Sequence, residues 1–392
     1  MMTEYQVCTR CVMDTTAGEI SFDDKGVCSF CRAFDANTGP VLDFAKTEDC
    51  RTLLRSIAET IRTAGSAHRY DCVLGLSGGV DSAYLACTAV DLGLRPLAVH
   101  VDTGWDTATT SSNVRSLARE LGIELHVVPV DWAEMRELQL AFYRAAVQNC
   151  EIPYDHAFLA SLYRVADRAR IRYILLGGNL ATESVLPASW GHNASDLRYI
   201  KSVYARYGAH ARLRHYPTLS FWQQYFCYPI VKKIRLVYLL NYLDYNKAQA
   251  KQELRKRCGW EDYGDKHHEA VSTRFFQSYY LPMKFGVDKR KAHLSSLILS
   301  GQLTREEALE KLMEPPRSQD LIDDDRRYMA EKLGVPLDEW DRILGLPPRS
   351  DSEFASLDTL FALKARLVRF LGLRRRSMKA PAVRTSAGGK VG

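Results

Sequence analysis

The sequence predicts an α/β protein: a parallel sheet with helices on both faces, preceded by a small four-cysteine unit and followed by a mainly helical region. Three observations support this. Short apolar runs alternate with helical patterns over 67–183, two Cys-x-x-Cys pairs stand near the N-terminus, and the alternation ends after residue 183. Strands that alternate with helices are typical of parallel sheets, because each helix returns the chain to begin the next strand in the same direction.

The N-terminal unit, residues 1–40, is predicted to be a zinc ribbon. Cys8, Cys11, Cys28 and Cys31 form two Cys-x-x-Cys pairs with sixteen residues between them, and the intervening segment reads as a small hairpin. Four thiolates at this spacing make a closed structural Zn²⁺ site with no open position for catalysis. Redox pairs or an iron–sulfur cluster are the alternatives. A unit this small depends on its metal for stability.

The following segment, 41–66, is predicted to link the ribbon to the core, since 47–64 has one apolar helical face. The core itself, 67–185, alternates four strands with four helices. The predicted strands are 71–76, 96–101, 124–130 and 173–176, and the predicted helices are 80–92, 109–121, 133–147 and 156–169.

The first strand runs into a glycine turn that opens a helix. The turn reads Ser77-Gly78-Gly79-Val80-Asp81-Ser82. Adjacent glycines let the backbone approach a ligand, and the free amides of a helix start attract phosphate. No Gly-Lys-Ser/Thr follows, which excludes a Walker A loop, and the glycine spacing does not fit the dinucleotide fingerprint.

Polar or glycine residues also follow the other strands, where parallel sheets bind ligands. Val101, Asp102 and Thr103 end the second strand, and Gly177 and Gly178 follow the fourth. Together they predict a nucleotide crevice.

Two carboxylates at this edge suit Mg²⁺, which takes oxygen ligands. We expect Asp81 and Glu183 to hold it, although Asp81 can also cap its helix, and Glu183 reads equally as a solvated carboxylate. His100, flanked by apolar residues, is expected to be a hydrogen-bonded core imidazole.

Charge and hydropathy narrow the function classes. The net charge is +6, but six of the 53 basic residues lie in 373–392, which has no acid, leaving 47 basic against 47 acidic residues elsewhere. A neutral body makes nucleic acid an unlikely substrate. No apolar run reaches the length of a membrane span, and the N-terminus has no signal-peptide pattern, so we expect a cytoplasmic protein.

The remaining chain is predicted to form a substrate-binding region, 186–335, and a segment of short helices with a basic tail, 336–392. Residues 187–229 are rich in aromatics and look irregular, which is compatible with a stacking pocket or with core filling.

The glycine turn resembles the pyrophosphate (PP) loop of ATP pyrophosphatases, and the whole chain resembles the N-acetyl sugar amidotransferase family of surface-polysaccharide (LPS) biosynthesis within that superfamily. Gly264-Asp265-Lys266 departs from the Gly-Gly-Lys usual in the family. The resemblance covers most of residues 5–315, and it implies an adenine-nucleotide α-hydrolase-like core. It is carried by the stretches 8–14, 26–31, 70–82, 97–105, 177–183, 260–267, 288–290 and 293–301.

The family resemblance implies that ATP, with Mg²⁺, adenylates the N-acetyl group of a sugar, with a nucleotide-linked sugar favoured. Ammonia then gives an acetamidino group, with release of AMP and pyrophosphate. No Gly-x-Cys-x-Gly elbow surrounds any cysteine, so a separate glutaminase subunit is expected to supply the ammonia.

Each site residue has an expected role. The loop residues 77–82 bind pyrophosphate, and Val101, Asp102, Thr103, Gly177 and Gly178 line the nucleotide. Asp81, Lys266 and His267 are the expected catalytic residues, and Lys289, Arg290 and His293 the expected substrate-binding residues. A solvated face is the equally weighted alternative for the basic residues.

Two rival functions remain at this point. One is a tRNA-modifying PP-loop enzyme of the thiolase type, for which Cys150 or Cys258 would be the catalytic cysteine. The other is a zinc-ribbon interaction protein with a degenerate loop. The neutral body argues against the first, and the intact loop argues against the second.

Overall fold

The computed structural model describes residues 4–209, 212–262, 264 and 270–370. The chain begins with a short irregular unit in which Val7 bridges Asp14 and Phe22 bridges Cys28 in antiparallel fashion. The second bridge closes the predicted small hairpin. Three helices follow: α1 (Ser29–Ala33), α2 (Gly39–Ala45) and α3 (Glu48–Gly65).

A parallel sheet of five strands forms the centre of the molecule, in the order β3-β2-β1-β4-β5. The elements up to residue 183 are β1 (Cys72–Gly75), α4 (Val80–Asp91), β2 (Pro96–Asp102), α5 (Ala108–Glu120), β3 (Glu124–Pro129), α6 (Trp132–Ala145), α7 (Ile152–Arg168), β4 (Tyr173–Leu175) and α8 (Leu180–Glu183). The four predicted strands and the helices between them are therefore confirmed. The strand order reverses between β1 and β4, and such a switch point is where open α/β sheets bind ligands.

The fifth strand was not predicted. After α9 (Leu197–Tyr207) and a π-helical segment, Gln223–Val231, the chain returns to the sheet as β5 (Arg235–Val237), which pairs in parallel with β4. The sheet thus takes its last strand from the region that we assigned to substrate binding.

Two apolar cores lie on opposite faces of the sheet. Side chains alternate along a strand, so Val73 enters the core shared with α6 and α7, whereas Cys72 and Leu74 enter the core shared with α3, α4 and α10. This arrangement confirms helices on both faces.

The predicted linker helix belongs to the second core. Its apolar residues recur at helical spacing, and Leu54, Ile57 and Ile61 are buried against the sheet, whereas Leu53 is exposed. Thr47 caps α3 by accepting a hydrogen bond from the Cys50 amide. The helix therefore stabilises the core as well as connecting it to the ribbon.

The C-terminal region is helical, as expected. It contains α10 (Lys247–Cys258), α11 (Val271–Phe275), α12 (Leu281–Phe285), α13 (Arg290–Leu299), α14 (Arg305–Met313), α15 (Gln319–Leu333), α16 (Leu337–Leu344) and α17 (Asp358–Phe370). Asn246 caps α10, and Thr304 and Glu307 form a complete capping box on α14.

The aromatic segment 187–229 is more ordered than the sequence suggested, since it contains α9 and the π-helical segment. Most of its large aromatic rings fill the core, and the buried ones include Trp190, Tyr199, Tyr204, Tyr216, Phe221 and Tyr228. Among the described residues, no helix is long and apolar enough to span a bilayer.

Candidate functional site

The glycine turn lies between β1 and α4, at the switch point of the sheet. Gly78 adopts φ +87°, a left-handed conformation that favours glycine. A Cβ there would also lie 2.8 Å from Thr110 Cγ2, so α5 leaves no room for a side chain. The conformation and the close packing both require glycine at this position.

Internal hydrogen bonds hold the turn in shape. The Ser77 amide donates to Ser82 Oγ at 3.2 Å, and Ser82 Oγ donates to the Gly79 carbonyl at 3.1 Å. From outside the turn, the indole Nε1 of Trp260 donates to the Gly78 carbonyl at 3.0 Å. The loop is therefore preorganised, with the N-terminus of α4 behind it for an anionic group.

Asp81, in the first turn of α4, accepts hydrogen bonds from side chains in distant parts of the chain, which include Tyr245 and Asn179. Tyr245 donates its hydroxyl to Asp81 Oδ1 at 2.5 Å, and Asn179 Nδ2 donates to the same oxygen at 3.3 Å. Burial raises the pKa of Tyr245 well above its ordinary value, and the charge of Asp81 raises it further. Tyr245 is thus a neutral donor that orients the carboxylate.

The turn after β4 packs directly on the loop. A Cβ on Gly177 would lie 2.8 Å from the Ser82 amide nitrogen and 3.0 Å from the Asp81 carbonyl carbon. A Cβ on Gly178 would lie 3.1 Å from the Tyr238 ring and 3.4 Å from Glu183 Oε2. Residues 177–183 therefore form the second wall of the site, and only small residues fit where they touch the loop.

The end of β2 forms the third wall. Val101 is buried, and Asp102 Oδ1 accepts the Gly104 amide at 2.8 Å. Thr103 is buried as well, and its Oγ1 has no hydrogen-bond partner within the described part of the chain. We call residues 76–82, 101–103 and 177–183 together the loop crevice.

His100 sits beneath this wall and is the hydrogen-bonded core imidazole that the sequence predicted. Its Nδ1 lies 2.8 Å from the Leu76 carbonyl oxygen, and its Nε2 lies 2.6 Å from Asp106 Oδ2. Burial lowers the pKa of His100, but the hydrogen bond and the charge of Asp106 outweigh it and raise the pKa overall. The imidazole ties β1 to the chain after β2.

The donor set of the loop crevice suits Mg²⁺. Asp81 lies beside the loop, and Glu183 is close enough for its charge to contribute to the raised pKa of both Tyr238 and Tyr245. Two carboxylates next to a phosphate-binding turn are the usual protein ligands of this ion. Asp81 and Glu183 are accordingly the residues that would hold it.

A cavity of about 580 Å³ lies next to the loop crevice, and Thr182 belongs to its wall. Among the described residues, five cationic side chains and one histidine line it, against one acid, Glu314. The basic lining residues are Lys247, Lys251, Lys289, Arg290, His293 and Lys311. We call this space the basic cavity, and its lining favours an anionic ligand.

The three predicted substrate-binding residues all line the basic cavity. Lys289 Nζ lies 5.5 Å from the centre of the Phe276 ring, and His293 follows one turn later on α13. Arg290 is tied to Asp288 through Nε and Nη2, and its Nη1 donates to the carbonyls of Lys311 and Glu314. Arg290 therefore shapes the wall, and Lys289 and His293 stand beside it.

A buried acid lies behind this wall. Glu151 accepts a hydrogen bond from the Thr273 hydroxyl, and its Oε1 has no partner in the described structure. Burial raises the pKa of Glu151 to about 7, against the lowering effects of Thr273 and Lys289. Glu151 was not predicted as a site residue. Of the predicted catalytic residues Asp81, Lys266 and His267, the last two lie outside the described residues.

The four N-terminal cysteines form one buried cluster, as predicted. The Sγ–Sγ distances are 3.7 Å for Cys8–Cys31, 3.7 Å for Cys11–Cys28 and 3.6 Å for Cys28–Cys31. A tetrahedron of Zn–S bonds of about 2.3 Å has edges of about 3.8 Å. The cluster therefore fits Zn²⁺.

Backbone amides also support this cluster. Arg10, Cys11 and Cys28 donate their amides to Cys8 Sγ at 3.3–3.4 Å. Such donors favour the thiolate form that a metal requires.

The ribbon is anchored on the helices that line the basic cavity. The Val12 amide donates to Ser295 Oγ at 3.2 Å, and Lys291 pairs with the buried Asp14. From α14, Arg305 donates to the carbonyls of Cys8 and Cys11 at 3.0 and 3.1 Å. The ribbon therefore stabilises the position of α13 through these contacts.

Several residues of the site were missed from the sequence. Tyr245 was missed; it holds Asp81 across 164 positions, and no local pattern marks such a contact. Asn179 lies in the strand end that was assigned to the crevice, but its contact with Asp81 across 98 positions was not predicted. Lys247 and Lys251 were also missed, although their spacing of four on a helix places them on one face, a signal that was available.

Comparisons with known proteins agree with this division of the site. Residues 50–212, which contain the loop crevice, match the NAD synthase family. Residues 269–367, which contribute α13 and α14 to the basic cavity, match the family described as LPS biosynthesis protein WbpG-like, C-terminal domain. The chain therefore combines an NAD synthase-like (PP-loop) domain with a WbpG-like C-terminal domain. This combination is consistent with the LPS-biosynthesis amidotransferase family that the motifs predicted.

The PP-loop domain also has a curated relative, the glutamine-dependent NAD(+) synthetase of Aquifex aeolicus. The two are 32% identical over 145 residues, which is 34% of this chain and 24% of the relative. The chain thus spans about a quarter of the length of the curated relative that it matches.

Similar solved structures share low identity with the chain. The NH3-dependent NAD synthetase from Campylobacter jejuni is 18% identical, with a TM-score of 0.26, over 34% of this chain and 59% of that one. The NMN synthetase from Francisella tularensis is 15% identical, with a TM-score of 0.30, over 86% of this chain and 97% of that one.

Proposed function

We propose that this PP-loop protein is an ATP-dependent amidotransferase of LPS O-antigen biosynthesis. It adenylates the N-acetyl group of a sugar, with a nucleotide-linked sugar favoured, and ammonia then converts the amide to an acetamidino group. The products are the amidine, AMP and pyrophosphate. The reaction is placed in the cytoplasm, with ammonia supplied by a separate glutaminase subunit.

One observation carries this proposal: the loop crevice and the basic cavity share a wall. Gly177 packs on the amide of Ser82, and Thr182, five residues later, lines the basic cavity. A phosphate-binding turn and a second anion-binding space thus adjoin each other across one short segment. Two substrates, of which one is a nucleoside triphosphate and the other carries negative charge of its own, fit this arrangement.

The chemistry requires activation of an amide. The amide oxygen is a poor leaving group, so it first attacks the α-phosphorus of ATP, and the bond to the β-phosphate breaks with release of pyrophosphate. Ammonia then adds to the activated carbon, loses protons, and expels AMP, which leaves the C=N bond of the amidine. Mg²⁺, when bound, would neutralise charge on the departing pyrophosphate.

Different residues of the chain are assigned to different steps of this reaction. The amides of the loop and the N-terminus of α4 stabilise the pyrophosphate charge in a preorganised way. Asp81, oriented by Tyr245 and Asn179, would hold the ion together with Glu183. Val101, Asp102, Thr103 and Gly178 line the nucleotide. Lys289 and His293 bind the charged sugar, and Lys266 and His267 are assigned to the reacting amide.

The four-cysteine cluster has a structural role in this proposal. Its thiols are buried, and a tetrahedral ion held by all four would have no position left for a substrate. Because the ribbon is anchored on α13, the ribbon would keep the wall of the basic cavity in place when its four cysteines hold Zn²⁺.

The tRNA-thiolase alternative requires a nucleophilic cysteine, and neither candidate cysteine suits that role. Cys150 and Cys258 are both buried, and burial raises the pKa of each thiol. A reactive cysteine needs a lowered pKa and access to its substrate. Neither residue meets these conditions.

The test is an acceptor-dependence experiment with the purified chain. It receives MgATP and ammonium chloride with either N-acetylated nucleotide sugars or unfractionated tRNA, and AMP and pyrophosphate are measured. We expect AMP to form only with an N-acetyl sugar, and ¹⁵N from labelled ammonium to appear in the sugar in place of one oxygen. Release of AMP that depends on tRNA, or no pyrophosphate with any acceptor, would contradict the proposal.

A further inference from the structure

Large apolar side chains are exposed in a row on the π-helical segment and on the residue directly before it. Trp222 is 63% exposed, Phe226 46%, Ile230 62% and Val231 71%. Trp222, Phe226 and Ile230 recur every four residues, which is roughly one turn of this wide helix, so they share a face, and Val231 follows Ile230 directly. The Trp222 and Phe226 rings are in contact, with centroids 4.9 Å apart. Contiguous exposed apolar surface of this kind marks an interaction site.

Helix α17 packs beside this segment and carries an exposed stripe of its own. Phe361 contacts Phe221 and Tyr225, with centroids 5.5 and 6.1 Å apart, and Lys364 Nζ lies 3.5 Å from the centre of the Tyr225 ring. The exposed leucines of α17 recur at helical spacing and are Leu360, Leu363 and Leu367. We call the exposed apolar residues of the two elements the apolar–basic face.

Cations accompany both apolar stripes. Lys232, Lys233 and Arg235 follow the π-helical segment directly and are exposed, and Arg366 is exposed on α17. Lys232 also pairs with Asp167 at 2.9 Å. The chain then continues from α17 into 373–392, which has six basic residues and no acid. Positive charge from Lys233, Arg235 and Arg366 therefore lies beside both stripes.

We propose that the apolar–basic face docks the protein on the surface of an anionic lipid bilayer. Tryptophan, phenylalanine and aliphatic side chains next to lysine and arginine make up the composition of segments that lie in the bilayer interface. Each cation near such a surface raises partitioning by about fivefold. A run of twenty residues without an acid matches an extended anionic surface better than the mixed charges of a protein partner.

The chain contains a natural reporter for this docking. Of its six tryptophans, Trp222 is the exposed one, since Trp105, Trp190, Trp260 and Trp340 are buried and Trp132 is partly buried. A blue shift and protection from aqueous quencher on adding vesicles would come from Trp222. The full-length protein is mixed with vesicles of phosphatidylcholine alone, or with phosphatidylglycerol added.

We expect co-sedimentation with the anionic vesicles, a blue shift, and release as salt is raised, because screening shortens the reach of the cations. A Trp222→Ser, Phe226→Ser variant should lose about tenfold in partitioning. The matched control is Met313→Ser, which removes an exposed apolar side chain on α14, and its partitioning should be unchanged.

Three results would overturn the proposal: equal binding to neutral and anionic vesicles, binding with no change at Trp222, or a dimer in lipid-free solution that already protects Trp222. The AMP-release assay is run on the same variants. Its outcome is independent of the vesicle result, because the apolar–basic face includes none of the residues assigned to the reaction.

Discussion

The loop crevice and the basic cavity adjoin each other but are built in opposite ways. The loop crevice consists of backbone and small side chains at the ends of β1, β2 and β4, and glycines stand where its walls touch. The basic cavity is lined by long cationic side chains together with polar and apolar ones, from segments scattered between residues 182 and 316. The sheet itself fixes the shape of the loop crevice, whereas the shape of the basic cavity depends on the ribbon and on ion pairs.

The largest expected effect comes from the loop crevice. Asp81→Asn keeps the size of the side chain and one acceptor for Tyr245, but it removes the charge that would hold Mg²⁺. We expect AMP and pyrophosphate release to fall by at least about 100-fold with every acceptor, with thermal unfolding unchanged. Asp91→Asn, on the same helix in an exposed pair with Arg257, is the control. Full activity of the Asp81 variant would refute the role.

A second variant tests whether the basic cavity depends on the ribbon. Cys8→Ser should lose the bound zinc and lower the free energy of unfolding by several kcal/mol, because metal binding and folding are coupled. Since the ribbon holds α13, the KM for the sugar should rise more than the KM for ATP. Metal content is measured by elemental analysis. The control variant Cys227→Ser, outside the cluster, should keep its zinc. An equal rise in both KM values for Cys8→Ser would contradict the dependence of the basic cavity on the ribbon.

A third test concerns the acid behind the cavity wall. Burial raises the pKa of Glu151 from 4.5 to about 7 in the folded protein. The folded state therefore binds this proton more tightly than the unfolded state. The contribution of Glu151 to the free energy of unfolding is fully present below about pH 4.5 and is lost as pH rises through 7. The loss amounts to about 3 kcal/mol.

Urea unfolding of Glu151→Gln at pH 5 and pH 8 checks this expectation. The variant should lack that part of the pH dependence, whereas Glu120→Gln, an exposed acid on α5, should retain it. Parallel pH profiles for the Glu151 variant and the unmodified protein would count against a buried, proton-binding Glu151.

The smallest expected effect is on the cavity wall. Lys289→Met should raise the KM for the charged sugar by about tenfold and leave the KM for ATP unchanged, because Lys289 faces the basic cavity and not the loop. Steady-state pyrophosphate release measures both constants. Lys201→Met, an exposed lysine on α9, is the control. An equal change in both constants would show that the two spaces do not work separately.

The loop crevice could be predicted from the sequence because its interactions are local. The turn between β1 and α4 closes through hydrogen bonds between residues five apart, as between Ser77 and Ser82. The strand ends follow from alternation of apolar runs with helical patterns. The cluster of the four cysteines was likewise predicted from their spacing alone.

The rest depends on contacts that no window of sequence contains. Tyr245 reaches Asp81 across 164 positions, and Val12 reaches Ser295 across 283. Lys289, Arg290 and His293 were named through a family motif, but their neighbour Lys251 belongs to a helix whose packing is tertiary. β5 was missed because three residues carry too little alternation to be separated from the apolar stretch that follows.

The position of β5 late in the chain limits where a shorter expressed fragment can end. β5 forms the outer edge next to β4, although it lies beyond residue 212, where the NAD synthase match ends. A fragment that stops there would leave the hydrogen-bonding groups of β4 open to other chains, and such open edges promote aggregation. Expression of the nucleotide-binding half should therefore extend past Val237 to yield soluble material.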